Sequence, residues 1–157
     1  MNLISVALAL LLTVEAGTDA RQVPVPAPAG PPPLSQVLAR IDQLHVRRDD
    51  RTALAEQQTL VQGALARAPQ DYGVLWRGAR YYFWLADDPG QSVEQRSRVG
   101  KDGWDLAERA IVVNPNRVEG HYFAALCMGN YALGLGVVKA LAKGMEGKFR
   151  EIGRAHV

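Results

Sequence analysis

Residues 71–87, DYGVLWRGARYYFWLAD, decide the fold class. Asp71 can accept from the first free backbone N–H groups of a helix, and Asp87-Asp88-Pro89-Gly90 supplies the stop. Between them Leu75, Gly78, Ala79 and Tyr82 fall at i, i+3, i+4 and i+7, one stripe of a helix. Trp76, Phe83 and Trp84 cover its other faces. A helix that is apolar on most sides is buried on most sides, so this segment is expected at the centre of the molecule.

The same 3.6-residue period extends in both directions, and no long run of strict apolar/polar alternation interrupts it. Upstream, LSQVLARIDQLHV (34–46) places Leu34, Val37, Leu38, Ile41 and Leu44 on one stripe. A second helix is expected from about Asp50 to Ala68, with Leu54, Leu60, Val61, Ala64 and Leu65 inward, stopped by Pro69. Downstream, Ser92 and Gln95 fit a capping box at the start of a helix reaching Val113, which Gly100 and Gly103 should weaken or bend. A fifth helix is expected over Val118 to Leu133 and a sixth over Leu135 to Phe149, with Gly134 and Gly136 marking the turn between them. The expected fold class is therefore all-α, with about six helices.

Two segments share a further pattern. AERAIVVNPN (107–116) and ALARAPQD (64–71) both place a small residue, an aliphatic neighbour and a closing proline in the same order. Leu75, Gly78, Ala79 and Tyr82 stand at offsets that His121, Ala124, Ala125 and Met128 reproduce. This resembles the tetratricopeptide repeat, a helix–turn–helix of about 34 residues, although Pro69 and Pro115 are 46 apart. The resemblance implies a right-handed TPR-like stack of antiparallel helix pairs, incomplete at its C-terminal end. VEGHYFAALCMGNYALGLGVVKALAKGMEGKF (118–149) is also similar to the T component of TRAP transporters. That likeness implies a periplasmic helical protein whose partner is a solute-binding protein, but this chain lacks the lipid-anchoring cysteine.

The ends read differently from the middle. Leu3–Val14 is an apolar run too short for a membrane span and suited to a secretory signal, with small residues at Ala16 and Ala20 for cleavage. The expected division is a signal peptide over 1–20, a proline-rich linker over 21–33, the helical domain over 34–150 and a non-native tail over 151–157. The tail EIGRAHV resembles a common sequencing adapter read in frame. Localisation is accordingly expected to be periplasmic or secreted, with no integral membrane span after cleavage.

Composition narrows the function by exclusion. In 157 residues, 18 Lys and Arg face 16 Asp and Glu, which offers no basic footprint for nucleic acid. A single cysteine excludes a disulfide framework or a Cys-based zinc site. No HExxH, GxSxG or GxxxxGK[ST] motif occurs, so no catalytic residue, metal or cofactor is assigned. The informative set is aromatic and cationic. Trp76, Arg80 and Phe83, with Tyr122 and His121 one repeat later, are the expected binding-groove residues, because aromatic side chains and Arg give large contact area at low entropy cost. The expected activity is a protein–protein interaction scaffold. A helical ligand-binding component of a TRAP-type uptake system, with Arg80 and His121 lining one cavity, is the alternative.

Overall fold

The structure, a computed structural model, describes residues 30–154. The expected signal peptide, linker residues 21–29 and Ala155 to Val157, His156 among them, lie outside the described residues. The chain divides into two units at Pro31/Pro32, and the helices of the described residues belong to the second. These are α1 (Leu34–Val46), α2 (Arg51–Arg67), α3 (Tyr72–Ala86), α4 (Val93–Val113), α5 (Val118–Leu135), α6 (Val137–Ala142) and α7 (Met145–Arg154). The described residues contain no strand, and no helix among them is long and apolar enough to cross a membrane.

Local chemistry sets the boundaries. The Asp50 carboxylate accepts from the Thr52 and Ala53 amides at the start of α2, and Asp71 accepts from Val74 at the start of α3. Ser92 and Gln95 form the reciprocal capping box that opens α4. Each such cap is worth about 1 kcal/mol.

Packing proceeds by neighbours and next-neighbours: α1 on α2, α2 on α3, α3 on α4 and α4 on α5, with α3 also touching both α1 and α5. Two apolar clusters result. Ile41, Val61, Ala64, Val74 and Tyr81 fill the space between α1, α2 and α3. Leu75, Ala79, Trp104, Ala107, Phe123, Cys127 and Met128 fill the space between α3, α4 and α5. Alternate faces of α3 feed both, which makes it the central element that its sequence implied. A large aliphatic side chain fully buried in this way contributes about 1.5–3 kcal/mol.

The structure differs from the sequence expectation at four glycine positions. Helix α4 runs unbroken through Gly100 and Gly103, which are buried contact points instead of bends. A Cβ on Gly100 would lie 2.7 Å from the Tyr131 backbone nitrogen, and one on Gly103 would lie 2.7 Å from Cys127 Sγ. The α4–α5 seam closes to this distance because the side chains are missing. Gly134 does not turn the chain but lies within α5, pressed against Ser97. The expected sixth helix is two: Gly136 (φ 80°) starts α6, and Gly144 (φ 67°) separates it from α7. Such left-handed backbone favours glycine. Among the described residues seven helices therefore replace about six, and residues 151–154 continue α7 with Ile152 half-buried against the core.

Candidate functional site

Helices α1, α3 and α5 meet side by side, and the residues of the expected groove concentrate along α3. One turn apart on that helix stand Trp76, Arg80 and Trp84. The Trp76 ring stacks on Phe123 of α5, with centroids 6.1 Å apart and planes 12° from parallel. Phe83 tilts against the same ring at 6.5 Å. Tyr122 meets Phe123 edge-on at 5.1 Å and remains 56% exposed. Four aromatic rings thus converge from two helices, with Phe123 as the buried hub and Tyr122 as the outermost member.

Toward α1 the same face is cationic. Asp42 accepts two hydrogen bonds from Arg77, at 2.9 and 2.7 Å, and a third from Arg80 at 2.6 Å. Both guanidiniums lie over the Trp76 ring, 4.2 Å away for Arg77 and 4.9 Å for Arg80. A third, Arg48, lies 4.3 Å over Trp84, and His45 meets Trp84 edge-on. Burial pushes the Asp42 carboxyl up, but the hydrogen bonds from Arg77 and Arg80 outweigh it and hold Asp42 below its ordinary value. Burial, then the charges of Arg80 and Arg48, press His45 down to about 4. The Arg80 guanidinium is also lowered, by burial first, with Asp42 opposing and Arg77 and Arg48 adding to it.

His121 does not join this face. Successive helical residues diverge by about 100°, so Phe123 turns toward α3, Tyr122 turns outward to solvent and His121 turns toward the end of α4. There it is buried, its Nε2 is 2.9 Å from the Pro115 carbonyl, and it lines a cleft with Ile111, Val112, Lys148 and Ile152. Arg80 and His121 consequently face different neighbours instead of one cavity. The lone Cys127 is buried, donates toward the Ala79 carbonyl at 3.4 Å, and has its thiol pushed up to about 12 by burial. A thiol held protonated is a poor nucleophile. Among the described residues no three His, Cys, Asp or Glu side chains cluster closely enough to hold a metal ion.

Sequence reasoning brought Trp76, Arg80, Phe83 and Tyr122 together but missed Asp42, His45, Arg48, Arg77 and Phe123. The i, i+4 spacing of Trp76, Arg80 and Trp84 was available as a signal. That Asp42 would sit opposite was not, because it depends on the crossing of α1 and α3.

Residues 37–150 match the family described as Regulator of microtubule dynamics protein 1-3. This match overturns both resemblances drawn from the sequence, to the tetratricopeptide repeat and to the TRAP transporter T component. The physical reason is that alanine- and glycine-lined helical hairpins serve any helical array, and the 46-residue interval between Pro69 and Pro115 already departed from the repeat. Neither a curated protein nor a solved structure matches the chain.

Proposed function

The chain belongs to the Regulator of microtubule dynamics protein 1-3 family, and from that premise we propose that it is a protein-binding module that catalyses nothing and works through the α1/α3/α5 face. The observation that carries this reading is the run of aromatic rings and guanidiniums along α3, with Tyr122 projecting from it. Aromatic and Arg side chains dominate binding energy where partners meet, and here they are already held in place by stacking and by Asp42. Pre-ordering reduces the entropy lost when a partner docks. The family's description, regulation of microtubule dynamics, names action on a protein assembly, which agrees with binding protein.

The finer architecture belongs to the same proposal. On this reading α1 with α2 and α3 with α4 are successive antiparallel pairs, and the contacts of α3 with both α1 and α5 support a right-handed stack whose odd-numbered helices share one side. A stack of this kind presents its inner helices to a partner along a continuous surface. The apolar run Leu3–Val14 supports export. A reporter enzyme active only outside the cytoplasm, fused after Pro33 in a bacterial host, reads this out. Inactive fusions would contradict it.

The binding reading is tested by panning a random dodecapeptide display library on the full chain. We expect an enriched motif whose affinity falls about tenfold or more in Tyr122→Glu and in Trp76→Ala. Tyr122 is exposed, so its substitution leaves the fold intact and keeps the test interpretable if Trp76→Ala melts. No enrichment, or peptides that bind wild type and Tyr122→Glu alike, would overturn the assignment.

A further inference from the structure

The charge on the α1/α3 side of the face is unbalanced. Arg77 and Arg80 share a single carboxylate, Asp42, and the Arg80 guanidinium is repelled by both Arg77 and Arg48. Arg77 is fully engaged: Nε and Nη2 bind Asp42 and Nη1 donates to the Gly73 carbonyl. Arg80 is not. Its side chain is only 13% exposed, it donates to Asp42 through Nη2, and its buried Nε has no acceptor. Arg48 repeats the pattern, with Nη1 on the His45 carbonyl and a buried Nε that donates to nothing. Guanidiniums that are largely desolvated, mutually repelling and short of acceptors carry a cost which an incoming anion would relieve. The rings of Trp76 and Trp84 beneath them fix the planes of the forks, which suits a flat two-oxygen acceptor.

Resting on the binding role proposed for this face, we propose that its partner is an extended protein segment carrying one acidic side chain, whose carboxylate seats on Arg80 and Arg48. The adjoining apolar residue of that segment packs on Tyr122 and Phe83. The surroundings restrict the charge to one. Asp87 and Asp88 follow Trp84 at the end of α3 and, with Asp49, line the neighbouring cleft against Arg48 and Arg51. A run of acidic residues following α3 would meet Asp87 and Asp88 about 10 to 12 Å from Arg80, at about 1.5 Å of rise per residue, and be repelled. A single carboxylate flanked by apolar residues meets these aspartates only at its Arg48 end.

The experiment uses the dodecapeptides enriched on the full chain, resynthesised with each Asp or Glu changed to Asn or Gln in turn. Changing one acidic position is expected to weaken binding to wild type by about tenfold or more, and binding should also weaken as salt rises from about 50 to 500 mM. Arg80→Gln is expected to weaken the acidic peptide to the level of its neutral version without further affecting the neutral one. Arg48→Gln supplies the same comparison should Arg80→Gln fail to fold. Peptides that lose affinity in Tyr122→Glu but have no sensitive acidic position would overturn the carboxylate assignment and leave the binding face standing. Absence of any enriched peptide would overturn both.

Discussion

At the residue scale the glycines separate packing from propensity. Gly103→Ala places a Cβ 2.7 Å from Cys127 Sγ and 3.0 Å from Tyr82 Cβ, at the closest approach of three helices. Alanine favours helix by up to about 1 kcal/mol, but overpacking a seam costs about 1–3 kcal/mol, so the variant should be less stable. Gly63→Ala in α2 is the control. A Cβ at that position would have no atom within 4 Å, so the same change should stabilise by about 0.5–1 kcal/mol. Urea unfolding of the pair checks the sign: equal shifts would contradict a seam that requires glycine. Asp42→Ala exposes the opposite dependence, leaving two largely buried guanidiniums without their shared acceptor. A loss of about 2 kcal/mol is expected, with denaturant midpoint as the readout.

At the element scale the caps and one long-range tie set how the helices are joined. Ser92→Ala removes half of the capping box and should cost about 1 kcal/mol. Tyr72 at the start of α3 donates to Glu119 and accepts from the Gly120 amide, both at 3.1 Å, fastening it to the start of α5. Tyr72→Phe should cost about 1–2 kcal/mol and raise amide exchange at Gly120 specifically; unchanged exchange there would deny the tie. Caps and periods are local, which explains why α1 to α4 could be placed within a residue or two from sequence. The α3 stripe and its central position followed from the same local pattern. Gly100 and Gly103 could not be read correctly, since a glycine that breaks a helix and one that lets a helix through are identical until the neighbour is known. The division of α6 from α7 was hidden for the related reason that Gly144 competes with Gly136, Gly147 and Gly153 for the same role. For the site, the α3 residues were legible from their spacing, whereas Asp42 lies 34 residues before Trp76 and reaches it only through tertiary packing. His121 misled because adjacency to Tyr122 in sequence places it on a different helical face.

At the scale of the whole molecule, His45 and Glu119 link stability to pH in two adjoining windows. His45 is held near 4 in the fold against about 6.5 when unfolded, so between these values the unfolded chain takes up a proton that the folded chain refuses. Stability is therefore complete above about pH 6.5 and declines as pH falls toward 4. Glu119, held to about 2 chiefly by its hydrogen bond from Arg117, adds a second decline between about 4.5 and 2. His45→Phe should flatten only the upper window of a melting-temperature profile; an unaltered slope between pH 6.5 and 4 would assign that decline elsewhere. The face itself can be watched through the three tryptophans, because Trp76 and Trp84 lie on it and Trp104 is buried in α4. The decisive measurement is a two-dimensional NMR titration of the indole N–H signals of the full chain with an enriched peptide. The Trp76 and Trp84 signals should move together while Trp104 stays in place, and a peptide that binds while moving Trp104 alone, or none of the three, would contradict a partner surface on α1, α3 and α5.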